Sequence, residues 1–75
     1  MADYKQRIRE LRIDHDFTQN SIAGMLHVGQ RTYADYELGK TRLPIDSLIL
    51  LAKLYDVDMN YISGVSNERK DFPQR

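Results

Sequence analysis

Gln30, Arg31 and Asp35 stand at i, i+1 and i+5, a spacing that puts them on one face of a helix. All three end in flat hydrogen-bonding forks. A glutamine amide bridges N6 and N7 of adenine, a guanidinium bridges O6 and N7 of guanine, and a carboxylate accepts from N4 of cytosine. Ala34 shares that face and offers a methyl contact to thymine, while Thr32 on the flank fits a phosphate or a thymine methyl. The plain alternative for each is a solvated surface side chain. Tyr33 and Tyr36 could serve as stacking platforms for bases, but their i, i+3 spacing on the opposite side of the same helix favours core packing.

Other reactive residue types form no recognisable constellation. His15 and His27 lack a cysteine or an H-E-x-x-H pattern nearby, so no metal site is expected. Ser21, Ser47, Ser63 and Ser66 lie in no G-x-S-x-G context. A chain of 75 residues has little room for a pocket of enzyme size. The expectation is a binding protein without a cofactor.

The totals bound the rest. Seventy-five residues make one small domain. The absence of cysteine excludes disulfides and thiolate sites and fits a reducing cytoplasm. Hydrophobic residues at 41% suffice for a globule and exceed what a disordered chain carries. The start, MADYKQR, has no signal-peptide apolar run, and no stretch approaches the ~20 apolar residues of a membrane helix. Net charge is zero, which counts against a phosphate binder. The distribution is uneven, however. Residues 44–64 set Lys53 against Asp46, Asp56 and Asp58, and residues 29–43 set Arg31, Lys40 and Arg42 against Asp35 and Glu37. That distribution leaves room for a mildly basic face on one side with acid on the other.

These residues need elements to position them. Tyr4, Ile8, Leu11 and His15 form a helical stripe over residues 4–15, with Asp3 as N-cap. Lys5 and Arg9 read as its solvated face. Asp14-His15-Asp16 ends that helix. Thr18 caps a second helix over Gln19–Leu26, whose Ile22, Ala23 and Leu26 face inward. His27-Val28-Gly29 is a turn, with Val28 plugging the core and Gly29 as the next N-cap. A third helix runs from about Gln30 to Glu37, closed by a left-handed Gly39. Pro44 opens a fourth helix that ends near Tyr55. Asp58 caps a fifth, Met59–Ile62. Residues 1–64 are therefore expected as an all-α, five-helix domain, and the polar residues 65–75 as a loose tail.

Two short helices joined by a tight turn form a helix-turn-helix unit. The series Thr18-Gln19, Ile22-Ala23, Leu26-His27-Val28, Thr32-Tyr33, Tyr36-Glu37, Gly39-Lys40, Pro44, Leu48, Leu51-Ala52 and Val57 resembles the Cro and phage-repressor (XRE-type) family over about Ile8–Gly64. The resemblance implies a lambda-repressor-like fold with the third helix in the major groove of double-stranded DNA. It also implies base reading by Gln30, Arg31 and Asp35 and backbone contact by Gln19. Lys40, Thr41 and Arg42 would then bind phosphates, with Thr32 and Ala34 on the flank. Arg12 and Glu37 match a family pair in which a first-helix arginine bridges to the acid that ends the reading helix.

Two positions depart from the family pattern. His27 replaces a glycine where positive φ is usual. Gly29 stands where Ser or Thr supplies a hydroxyl to phosphate. The implied function is a small cytoplasmic transcriptional regulator, a repressor of phage or mobile-element type acting on an inverted repeat. The fourth and fifth helices offer a homodimer surface, with Ile49, Leu50, Tyr61 and Phe72 as candidates. Zero net charge keeps a second class in play, a protein-interaction module such as an antitoxin that uses the same fold without reading bases.

Overall fold

A computed structural model describes residues 3–73 and contains, among them, five helices: α1 (Tyr4–Asp14), α2 (Gln19–Met25), α3 (Gln30–Leu38), α4 (Ile45–Tyr55) and α5 (Met59–Ile62). Three starts are capped by short polar side chains. Asp3 accepts from the amide of Gln6 at 2.9 Å, Thr18 from Ser21 at 3.0 Å, and Asp58 from Tyr61 at 2.8 Å. Each bond satisfies an amide that the helix leaves without a partner. The other two starts have no side-chain cap: Gly29 precedes α3, and Pro44 precedes α4 as its N-cap rather than its first residue. α3 also runs one residue further than the pattern indicated, to Leu38.

Four helices end in one local motif. One or two residues past the helix the chain turns left-handed, and the next amide reaches back to a carbonyl five residues earlier. Asp16 (φ 58°), His27 (φ 58°) and Asp56 (φ 52°) make the turn after α1, α2 and α4. Phe17 then bonds to Arg12, Val28 to Ala23 and Val57 to Ala52, each at 3.0 Å. Those three following residues are apolar, and all pack on the core. α3 closes the same way through Gly39 (φ 80°), with the Lys40 amide 2.9 Å from the Asp35 carbonyl. Here the following residue is a lysine, and it is exposed.

The core collects the inward face of every helix: Ile8 and Leu11, Ile22 and Ala23, Tyr33 and Tyr36, Leu48, Leu51 and Tyr55, then Val57 and Ile62. α3 packs against both α2 and α1, while α5 joins α1 to α4. Tyr33 and Tyr36 meet edge to face with centroids 6.2 Å apart, so neither ring is free to stack on a base. His15 does not continue the α1 stripe. It caps the helix, its Nδ1 2.9 Å from the Leu11 carbonyl, and its ring lies 4.9 Å from Tyr55.

Residues 65–73 form no helix but are not loose. The Arg7 guanidinium stacks on the Tyr61 ring at 3.9 Å and donates to Asn67 at 3.0 Å. The Asp58 amide bonds to the Lys70 carbonyl at 2.8 Å, and the Phe72 amide to Asp56 Oδ1 at 3.2 Å. Phe72 packs on the core cluster. These ties depend on distant partners, which polar composition does not reveal.

Candidate nucleic-acid interface

The last turn of α3 is held by a partly buried ion pair. Arg12 Nε donates to Glu37 Oε2 at 2.8 Å, and Arg12 Nη2 to Glu37 Oε1 at 3.1 Å, a two-bond fork between α1 and α3. Arg12 Nη1 adds a bond to the Phe17 carbonyl at 3.1 Å, which ties in the α1–α2 connection. Gln19 Nε2 donates to Glu37 Oε1 at 3.2 Å, so the start of α2 shares the same acid. Burial is the largest single influence on Glu37 and opposes its ionisation, but the hydrogen bonds from Arg12, Tyr33 and Gln19 and the Arg12 charge together outweigh it and hold the carboxyl below its ordinary value. Burial also pushes the neighbouring Tyr33 phenol far above its ordinary range, with the Glu37 carboxylate adding to the effect, so it stays neutral. One carboxylate therefore fixes the relative placement of α1, α2 and α3.

With its inner edge clamped, α3 turns the other edge outward. Gln30, Arg31 and Thr32 are exposed in its first turn, and Ala34 and Asp35 are half-buried one turn later. Among the described residues the side chains of Gln30, Arg31 and Asp35 take part in no hydrogen bond or ion pair. Their donors and acceptors remain available to a ligand. Lys40, Thr41 and Arg42 follow the helix as an exposed strip. The amides of Lys40 and Thr41 both reach the Asp35 carbonyl, which fixes the strip against α3 while leaving the side chains outside. A convex helix edge with uncommitted forks, flanked by cations, fits a groove rather than a small molecule.

A helix-turn-helix family model matches residues 8–62. The chain belongs to the XRE-type helix-turn-helix family. It is 37% identical over 65 residues to YobD, an uncharacterized helix-turn-helix transcriptional regulator of Bacillus subtilis, covering 87% of this chain and 58% of that protein. It is 35% identical over 54 residues to RstR of Vibrio cholerae, named a cryptic phage transcriptional repressor, covering 72% of this chain and 49% of that one. AnsR of Bacillus subtilis, a helix-turn-helix transcriptional regulator, is 31% identical over 68 residues, with 91% and 59% covered. The chain thus spans about half to three-fifths of these relatives' length. No solved structure matches it.

In this helix-turn-helix domain the five helices take the lambda-repressor-like arrangement, with α2, the His27–Gly29 turn and α3 as the motif itself. His27 adopts the positive φ expected at that turn position, φ 58°. At Gly29 an added side chain would meet nothing within 4 Å, so open space lies beside the first turn of α3.

Two placements were not legible in the sequence. Gln19 faces Glu37 through its amide instead of standing free. Lys5, which reads as plain solvated surface, crosses the end of α3: a Cβ on Gly39 would lie 2.8 Å from Lys5 Cδ. Its ammonium pairs with Asp3 at 3.1 Å and would lie 3.7 Å from the same added Cβ on Gly39. Only the α1–α3 packing brings residues 5 and 39 together, and no local pattern signals it. Of the dimer-surface candidates, Leu50 is exposed at 52%. Ile49 is half-buried, Tyr61 lies under Arg7, and Phe72 packs on the core.

Proposed function

We propose that this domain binds double-stranded DNA sequence-specifically, with α3 in the major groove, as the DNA-reading part of a small transcriptional repressor. The observation that carries the reading is the outward edge of α3: Gln30, Arg31 and Asp35 are uncommitted on a helix whose opposite face buries Tyr33 and Tyr36 and whose last turn is clamped by Arg12 through Glu37. Gln30 suits adenine, Arg31 guanine and Asp35 cytosine, while Thr32 and Ala34 contact the flanks. Lys40, Thr41 and Arg42 bind phosphates and set the register. Gln19 contributes at the backbone while remaining tied to Glu37. Similarity to the RstR repressor supports a phage or mobile-element origin.

Zero net charge does not oppose this reading. Asp46, Asp56 and Asp58 lie on α4 and the α4–α5 connection, whereas Arg31, Lys40 and Arg42 lie on α3 and the strip that follows it. Two copies would occupy half-sites about 34 Å apart on one DNA face, in the cytoplasm, and block the operator by occupancy. No described helix is long and apolar enough to cross a membrane. Selection of bound sequences from random DNA tests the proposal. An enriched inverted repeat with that spacing is expected. Recovery of unenriched DNA would rule out base reading.

A further inference from the structure

α3 ends on a large apolar side chain that the core does not use. Leu38 is the last residue of the helix and is exposed at 66%, whereas Tyr33 and Tyr36 are buried. Closure of the helix does not use the Leu38 side chain either. The Gly39 amide reaches the Tyr36 carbonyl at 3.3 Å, and the Lys40 amide the Asp35 carbonyl at 2.9 Å. Its place around the helix is nonetheless specific. At about 100° per residue, the direction opposite the midpoint of Tyr33 and Tyr36 passes within about 10° of both Arg31 and Leu38, with Ala34 and Asp35 about 50° to either side. Arg31 and Leu38 therefore form the crest of the outward edge. Helical side chains lean toward the N-terminus, which directs Leu38 toward the turn carrying Ala34 and Asp35, its neighbours at i−4 and i−3.

We propose that Leu38 is a further specificity-determining residue, which selects thymine by packing on its C5 methyl in the major groove. The inference rests on the reading of α3 as the DNA-facing helix. The thymine methyl is the apolar group that base edges present in that groove, so an uncovered leucine on the crest of the reading edge has one kind of match there. Contact with it takes exposed leucine surface out of water, which polar base edges would do only at the cost of their own hydrogen bonds. The position along the site follows from the helix rise. Leu38 is three residues past Asp35, about 4.5 Å along the axis. That is a little more than one base-pair step of about 3.4 Å. The thymine therefore belongs to the pair next to the one under Asp35, on the side away from Gln30. A leucine in a last turn also serves as a good helix former, and that role alone would leave DNA binding untouched by its loss.

Removing the methyl without touching the base pairing tests this, since deoxyuridine lacks only that group of thymidine. The operator selected by the native protein is remade with one thymine at a time replaced by deoxyuridine. Affinities are then compared for the native protein and for Leu38→Ala. The native protein is expected to lose about fourfold at one thymine per half-site, the equivalent of one buried methyl. Leu38→Ala is expected to bind the thymine operator more weakly and to be indifferent to deoxyuridine at that position. Its urea midpoint should match the native one, because the side chain is exposed. Leu38→Met keeps an apolar reach and should keep the sensitivity. A penalty that persists in Leu38→Ala would assign the methyl to Ala34 or Thr32 and overturn the proposal. An enriched operator whose thymines are all indifferent to the replacement would also overturn it, while base reading by Gln30, Arg31 and Asp35 would stand. Failure to enrich any operator would remove the DNA reading itself, and this inference with it.

Discussion

Replacing Arg12 by methionine should invert the pH dependence of stability. In the native domain Glu37 is held below its ordinary value near 4.5, because the hydrogen bonds and charge of Arg12, with smaller help from Tyr33 and Gln19, together outweigh burial. The unfolded chain then binds more protons than the folded one around and below that value. The pair's contribution is therefore complete above it and lost as pH falls. In Arg12→Met the Glu37 side chain, only 3% exposed, keeps no cation and is left with the Gln19 amide and the neighbouring Tyr33 phenol. Burial then dominates, its carboxyl rises above the ordinary value, and stability increases as pH falls from 7 toward 5. Removing one partner of a buried pair costs about 3–5 kcal/mol. The loss should fall at the lower end here, about 3 kcal/mol, because Gln19 stays. That is a large share of the roughly 4–11 kcal/mol expected for 75 residues. Glu37→Gln should cost less, about 1–2 kcal/mol, since Arg12 is 13% exposed and retains the Phe17 carbonyl. Arg12→Met with Glu37→Met should cost less than the sum of the singles by about 2 kcal/mol. Urea denaturation at pH 5 and 7 measures all of these. Parallel pH profiles for the native protein and Arg12→Met, with additive losses, would refute the view of Glu37 as a clamped buried charge.

Four further outcomes follow from the same geometry. Gly24→Ala should stabilise by about 0.5–1 kcal/mol, because the glycine is inside α2, lacks positive φ and has nothing within 4 Å of an added Cβ; thermal melting should rise by several degrees. His27→Gly should also stabilise, by up to about 1 kcal/mol, since it relieves a left-handed non-glycine residue at some entropic cost; an unchanged urea midpoint would show no strain there. Arg31→Ala should lower affinity for the selected operator by ~1–3 kcal/mol while relaxing preference at one base pair, read by competition on single-base operator variants; equal loss on every sequence would remove Arg31 from base reading. Lys40→Ala should leave the urea midpoint within the error of measurement and weaken DNA binding evenly across sequences. The slope of log affinity against log salt should fall by about 0.9, and an unchanged slope would exclude a phosphate contact.

What could be read in the sequence was what depends on neighbours a few residues away. Asp3, Thr18 and Asp58 precede apolar periodic segments, and each caps the helix that follows. The tyrosines at i, i+3 turned inward because the helix period left them no other side. The positive φ at His27 was indicated by the family pattern, whereas Asp16 and Asp56 adopt the same geometry at positions that read only as helix ends. Contacts between distant residues were invisible to local pattern. Arg7 beside Tyr61 and Asn67 spans the whole chain, and Lys5 meets Gly39 only after α1 lies on α3. Arg12 and Glu37 are 25 positions apart and entered only through the family pattern. The polarity of residues 65–73 concealed that the segment is tied down by backbone groups and by one aromatic ring, Phe72.

The four matching helix ends show why the interface can vary while the fold stays intact. After α1, α2 and α4 the residue following the left-handed turn is Phe17, Val28 or Val57, and the motif drives an apolar side chain into the core. After α3 the same backbone bonds form, but the residue is Lys40 and its side chain faces solvent. The closure of α3 rests on amides of Lys40 and Thr41 reaching the Asp35 carbonyl, which any side chain permits. Orientation of α3 rests on Glu37, which bonds to Arg12 and Gln19 and to neither Gln30 nor Arg31. Neither support uses the outward side chains, so Gln30, Arg31, Lys40 and Arg42 can change without disturbing the helix that presents them. Asp35 differs in this respect, because it is half-buried and its carbonyl accepts both closing amides. Sequence preference is therefore expected to be most adjustable at the base pairs under Gln30 and Arg31, and least adjustable under Asp35.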